Sequence, residues 1–279
     1  MAFKTLINQF LCLVIPSISH SLSNGNLGSF ADLSGAADRR TDIIIYNDDQ
    51  IETFISTYDR DANEPQFRSY HTITTQHNVQ SISIGDKNHD GIADLFVVTE
   101  TQLGQYQLEV YQDSENSDEF EQLHMTQSID LSDPNVIVVD ANSDFTPDIF
   151  GKQHGTDHIG FYFLSKNNNQ AEFVSLNLDN NDIAMRSVSF IDLDQDCRAD
   201  LVYITNDGAI KMIKGTDFKT ASDLISQPLS TLMPYQQRRM FFADINKDGA
   251  MDIIVPGKYS ASDTHRNGKN EIYIWTQRR

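Results

Sequence analysis

Four segments of this 279-residue chain crowd acidic side chains at one fixed spacing: "DKNHDGIAD" from Asp86, "DANSDFTPD" from Asp140, "DLDQDCRAD" from Asp192 and "DINKDGAMD" from Asp244. Like charges a few ångströms apart repel, so such a cluster either stores strain or is built around a cation. Calcium takes six to eight oxygen ligands at roughly 2.3–2.6 Å, and a tight loop brings side chains at positions 1, 3 and 5 and a backbone carbonyl at 7 onto one centre. Position 1 holds Asp86, Asp140, Asp192 and Asp244, position 3 Asn88, Asn142, Asp194 and Asn246, and position 5 Asp90, Asp144, Asp196 and Asp248. The carbonyls at position 7 belong to Ile92, Thr146, Arg198 and Ala250, and Asp94, Asp148, Asp200 and Asp252 at position 9 would complete each shell. An EF-hand begins with the same spacing but needs a glutamate at position 12 and flanking helices. Position 12 is Val97, Gly151, Tyr203 and Val255, and no helical pattern flanks a loop, so the EF-hand reading fails.

What must position these loops is strand-like. The loops start at 86, 140, 192 and 244, a spacing of 54, 52 and 52 residues, and a period of this size points to a propeller or another repeat array. A damaged copy, "FADLSGAADRRTDIII", precedes them, with Asp32 and Asp42 ten positions apart instead of eight. Short apolar runs stand before each intact loop ("SISIG", "VIVVD", "VSFID", "MFFAD") and after it ("DLFVV", "DIFG", "DLVYI", "DIIV"). Third runs follow, "QLEVYQ", "IGFYFL", "AIKMIK" and "EIYIW", and fourth runs such as "EFVSLNL" close some repeats. Three or four short β-branched and aromatic runs per repeat, bounded by Gly, Asn, Asp and Ser, read as one antiparallel propeller blade. The loop then lies in the hairpin between a blade's first two strands.

The Asp-x-Asn-x-Asp-Gly-x-x-Asp loop between two strands resembles the FG-GAP/VCBS type of calcium-binding blade found in integrin α-subunit heads. The succession "DFTPDIFG", "SFIDLDQDCRADL" and "FADINKDGAMD" is similar to the T-cell immunomodulatory protein family, also called the integrin-α FG-GAP repeat-containing proteins, over about Ser29 to Trp275. The resemblance implies an all-β fold, a β-propeller of about seven blades, followed by a further extracellular region and one membrane-spanning helix near the C-terminus. At about 52 residues per repeat this chain accommodates about five blades, and it has no apolar stretch of about 18 residues or more. The expectation is a partial propeller over 24–279, within a full-length form that is a single-pass type I membrane protein.

The first 23 residues, "MAFKTLINQFLCLVIPSISHSLS", join one lysine, an apolar middle and small residues near Ser19, Ser21 and Ser23, which reads as a secretory signal peptide over 1–23. A secreted or extracellular location follows. Removal of the signal takes Cys12 and leaves Cys197, which cannot form an internal disulfide, is free or pairs with another chain, and at position 6 of the third loop reads as a tolerated substitution. Asp and Glu outnumber Lys and Arg by 40 to 21, and four divalent ions would bring the formal charge from −19 only to −11. A protein this acidic is unsuited to nucleic acid or an anionic membrane surface.

Catalytic templates fail: there is no Gly-x-Ser-x-Gly elbow, no phosphate-cradling loop and no His-Glu-x-x-His pair. His154 and His158 stand four apart in a polar turn between strands and read as exposed loop residues. No catalytic residue and no organic cofactor is expected, and the chain reads as no enzyme. Two function classes remain. The first is a calcium-rigidified interaction module whose partner is a protein on a cell surface, with an immunomodulatory or adhesion-related role implied by the resemblance. The alternative is a glycan-binding, lectin-like propeller, for which Trp275 is the single tryptophan available as a sugar platform.

The loops differ at position 6, where an EF-hand-like loop turns through a conformation that costs non-glycine residues about 1–2 kcal/mol. Gly91 and Gly249 fit there, whereas Phe145 and Cys197 must bear the strain or turn differently. The loops from Asp86 and Asp244 should bind calcium most tightly, the loop from Asp192 next and that from Asp140 most weakly. Asp90→Ala or Asp248→Ala should then remove most of one loop's calcium-dependent rise in melting temperature and Asp144→Ala little; a larger loss in Asp144→Ala would refute the glycine argument.

Overall fold

In a computed structural model, the structure describes residues 25–33, 40–59, 64–112, 120–123, 125, 128–156, 158–166, 169–176, 178, 183, 185–206, 208–216, 218, 221–225, 239–258 and 270–276. The proposed signal segment 1–23 lies outside them. Among the described residues, five antiparallel sheets follow one another along the chain, each an up-and-down meander in sequence order. The first comprises β1 (Asn26–Ala31), β2 (Asp42–Asn47), β3 (Gln50–Asp59) and β4 (Glu64–Thr74). The second comprises β5 (Asn78–Gly85), β6 (Asp94–Glu100), β7 (Tyr106–Gln112) and β8 (Glu121–Leu123), and β9 (Ile129–Leu131) also pairs with β7. The third comprises β10 (Ile137–Val139), β11 (Asp148–Lys152), β12 (Ile159–Leu164) and β13 (Ala171–Ser175). The fourth comprises β14 (Ser189–Ile191), β15 (Asp200–Ile204), β16 (Ile210–Ile213) and β17 (Ala221–Ile225), and the fifth β18 (Phe241–Ala243), β19 (Asp252–Lys258) and β20 (Asn270–Trp275). The one helical element among the described residues is a 3-10 turn at Met185–Ser187. The fold is all-β and propeller-like, a series of antiparallel meanders as the repeat predicts.

The chain divides into two compact units, 1–140 with 144–155 and 162–173, and 141–143 with 156–161 and 174–279. In the first unit, β6 explains why the second strand of a blade reads as an unbroken apolar run instead of an alternating one. Its side chains point alternately to opposite faces. Leu95 and Val97 join Leu33, Ile44 and Ile51 of the first sheet's core, while Phe96 and Val98 join Ile149, Tyr162 and Leu164. A strand covered on both faces has no solvent side on which to place polar residues. In the second unit, Val202 and Ile204, on one face of β15, pack with Met240, Ile253 and Val255.

One polar group is built into every blade. The residue before each loop pairs across the hairpin with the position-9 aspartate: Gly85 with Asp94, Val139 with Asp148, Ile191 with Asp200 and Ala243 with Asp252. All four aspartates are 0% exposed. A buried carboxylate needs hydrogen-bond donors, and the backbone supplies one to each of the four and, at Asp200, one from each of two directions. Asp200 Oδ2 accepts Leu193 N–H at the loop's start (3.0 Å) and its Oδ1 accepts Gly215 N–H beyond the third strand (2.9 Å). Asp94 and Asp252 accept Lys87 N–H (2.6 Å) and Ile245 N–H (2.9 Å), and Asp148 accepts Leu164 N–H (3.1 Å). In the damaged first copy Ala31 pairs with Asp42. Asp42 likewise accepts Leu33 N–H at 2.8 Å and Ser56 N–H at 2.7 Å. The lengthened loop has lost the calcium spacing and kept this carboxylate, so its backbone bonds do not depend on that spacing.

Removing such a carboxylate strands two buried N–H donors, each worth about 1–3 kcal/mol. Asp42→Ala and Asp200→Ala should therefore each cost about 2–5 kcal/mol in urea unfolding, in chelator as well as in calcium. If Asp200→Ala weakens the fold only when calcium is present, its role in the blade is refuted.

Candidate metal centres

The four intact loops share the backbone bonds made by the carboxylates at positions 1 and 5. The carboxylate at position 1 spans the loop by accepting the backbone N–H groups of positions 5 and 6. Asp86 takes them from Asp90 and Gly91 at 3.1 and 2.9 Å, and Asp140 from Asp144 and Phe145 at 3.2 and 3.0 Å. Asp192 takes them from Asp196 and Cys197 at 3.1 and 3.0 Å, and Asp244 from Asp248 and Gly249 at 3.1 and 2.9 Å. The position-5 carboxylate then accepts the N–H of position 7: Ile92 to Asp90 (2.8 Å), Thr146 to Asp144 (2.7 Å), Arg198 to Asp196 (2.9 Å) and Ala250 to Asp248 (2.9 Å). At position 3, the side-chain oxygens of Asn88, Asp194 and Asn246 accept the N–H of position 5 at 3.1, 3.3 and 3.0 Å. Asn142 stands exposed at the same place in the second loop. Short side chains that bond to nearby backbone are what Asp and Asn do best.

Following a carboxylate with N–H groups from both directions forces the chain through left-handed backbone twice. Position 6 has φ of 85° at Gly91, 67° at Phe145, 68° at Cys197 and 83° at Gly249. Phe145 and Cys197 thus make the glycine turn and bear its strain. Position 4 is also left-handed, at His89 (61°), Ser143 (64°), Gln195 (63°) and Lys247 (63°). Sequence reasoning missed this second turn because no glycine marks it. It also missed Lys87, at position 2 of the first loop and 2% exposed, whose ammonium donates to Ser165 O at 2.6 Å. Burial lowers the pKa of Lys87, and Asp94 partly offsets that effect.

The donor set tests whether an ion fits. In the third loop, one carboxylate oxygen each from Asp192, Asp194 and Asp200 lies within 4.8 Å of the others. Two oxygens bound to the same calcium at 2.3–2.6 Å are at most about 5 Å apart, so these three can share one ion. Asp200 contributes to that cluster while its two oxygens also hold backbone N–H groups. Lys214 Nζ sits 2.6 Å from Asp194 Oδ2, and its hydrogen bond holds the Asp194 carboxyl below the usual range while Asp194 raises the Lys214 pKa. The other three loops have asparagine at position 3 and carry one carboxylate fewer. Cys197 is exposed with a free thiol. His154 is exposed and meets Gln105 Nε2 at 3.3 Å through its Nε2, and His158 is exposed as well.

Comparison with known proteins adds the following. A family model described as FG-GAP-like repeat matches residues 192–255, the stretch holding the third and fourth loops. The chain is 25% identical over 84% of its length to a T-cell immunomodulatory protein homolog of Plasmodium falciparum, and 26% identical over 84% to one of Plasmodium yoelii yoelii. It spans 37% and 38% of those relatives' own lengths. Among solved structures, it is similar to the GH43_1 enzyme from Xanthomonas citri, with a TM-score of 0.46 at 11% identity, covering 90% of this chain and 87% of that one. It is also similar to the same enzyme complexed with xylose, with a TM-score of 0.47 at 14% identity, covering 96% and 92%. These neighbours correct the expectation that the chain is no enzyme: they are glycoside-hydrolase structures, so the lack of a catalytic template in the sequence excludes nothing. A likeness this distant assigns the chain no reaction either. Among the described residues, no helix is long and apolar enough to cross a membrane. The resemblance read from the loops is matched by the comparisons: the chain carries an FG-GAP-like repeat and is similar, over most of its length, to T-cell immunomodulatory protein homologs.

Proposed function

We propose that the chain is a calcium-binding interaction module of propeller-type blades, presented outside the cell to a protein partner on a cell surface. The observation that supports it is one set of position-1 and position-5 carboxylate bonds repeated in four loops, together with three carboxylates of the third loop, Asp192, Asp194 and Asp200, that have the span of a single ion. Donors that are all oxygen select a hard cation, and a loop offering side chains at 1, 3, 5 and 9 with a carbonyl at 7 supplies the high coordination that calcium takes and magnesium does not. Positions 1, 3, 5 and 9 of each loop would hold the ion. The bound ion supplies charge neutralisation and nothing chemical, setting the loop in one conformation for recognition.

The protein partner is proposed from the relatives' name and from a net charge of −19, which repels nucleic acid. Secretion is proposed from the character of 1–23. The glycan-binding alternative has less support. Trp275, its sugar platform, is half-buried against the core that includes Ile253 and Val255.

Chelation should lower the melting temperature of the purified chain, because an ion bound only to the folded state stabilises it by RT ln(1 + [L]/Kd), about 1.4 kcal/mol per loop at tenfold Kd. A melting curve that does not respond to chelator removes the calcium reading. Binding of the chain to intact cells should disappear after surface proteolysis and survive glycosidase treatment; the opposite pattern makes the partner a glycan. Lys214→Met should tighten calcium binding at the third loop, measured by titration calorimetry, because the ammonium competes for Asp194. Weaker binding in that variant would mean that Lys214 positions the carboxylate instead.

A further inference from the structure

We infer that the candidate calcium loops work as two coupled pairs, the first with the second and the third with the fourth, and that the left-handed residue at position 4 carries the coupling. The inference rests on the calcium reading above.

In the first unit, His89 leaves its own loop and reaches the next. Its Nε2 lies 3.3 Å from Oγ1 of Thr146, the position-7 residue of the second loop, and its Nδ1 lies 2.8 Å from Lys166 Nζ. A lysine ammonium only donates, so Nδ1 accepts, the ring proton stays on Nε2, and Nε2–H donates to Thr146. Thr146 in turn gives its backbone N–H to Asp144, the position-5 carboxylate of the second loop. In the second unit, Gln195 does the same work with different atoms: its Nε2 donates to Gly249 O of the fourth loop at 2.9 Å, and Gly249 N–H binds the position-1 carboxylate Asp244. In both pairs, position 4 of one loop holds the turn of the next loop that must present its carbonyl at position 7.

The left-handed backbone at position 4 makes this reach possible, with φ of 61° at His89 and 63° at Gln195. Position 4 stands between the ligands at 3 and 5, so an ion that fixes those two fixes the side chain between them. Ordering one loop therefore orders its contact on the neighbour, and the second ion meets a turn already held. One hydrogen bond of ordinary strength corresponds to about fivefold in affinity, which sets the scale of the coupling.

The test is calorimetric titration of the chelator-stripped chain with calcium chloride, followed residue by residue by amide NMR, for the natural chain and for His89→Ala, His89→Gln and Gln195→Ala. The natural chain should fill each pair steeply. His89→Ala should separate the first two loops and weaken the second of them about fivefold. Gln195→Ala should separate only the third and fourth, and His89→Gln, which keeps a donor, should restore the coupling. A melting temperature in chelator equal to that of the natural chain shows each variant folded. Calcium binding with isotherms that superimpose across all variants overturns the coupling alone, whereas no calcium binding in any of them overturns the coupling and the calcium reading together.

Discussion

A carboxylate removed from water must be given hydrogen-bond donors or lose its charge, and this structure organises each blade around that requirement. The aspartate that opens the second strand is buried in each of the described sheets; Asp42 and Asp200 are met by backbone N–H groups from both the loop before and the chain beyond, and Asp94, Asp148 and Asp252 each accept a backbone N–H from one of these sides. The apolar strand that follows, covered on both faces in β6, keeps water out of the arrangement. With that end fixed, the remaining loop residues have one short path to span.

The spanning residues face the opposite problem, since their carboxylates are gathered near the surface with like charge. Within each loop, backbone N–H groups answer part of it, and Lys214 answers more of it at Asp194. What remains is a ring of oxygens at ion-sharing distance in the third loop. The spaced aspartates thus divide into two tasks: position 9 holds the blade and contributes one edge of the ring, and positions 1, 3 and 5 shape the loop. The damaged first copy separates the tasks, because Asp42 keeps its two backbone bonds without the ion spacing.

Much of this was legible in the sequence. The regular period and the flanking apolar runs led to blades with the loop in the first hairpin, which is where Asp86 to Asp252 stand. The turn at position 6 was legible because Gly91 and Gly249 mark it. The second turn was not, since His, Ser, Gln and Lys at position 4 carry no glycine signal and are held left-handed by the loop's own bonds. Nor could spacing distinguish a carboxylate that is buried from one that is exposed: Asp94 and Asp90 look alike in the string, and only the sheet register separates them. Lys87 was invisible for the complementary reason, because its acceptor, Ser165, is 78 residues away, just past the end of β12 in the next sheet.

The central claim is that these loops are ion sites, and the most direct measurement is a crystal structure grown in calcium, with anomalous scattering to identify the ions. The account predicts an anomalous peak in each of the four intact loops, ringed by oxygens of positions 1, 3, 5 and 7 at roughly 2.3–2.6 Å, and none in the lengthened loop before Asp42. Loops that keep their backbone-bonded carboxylates and show no peak in calcium would contradict it.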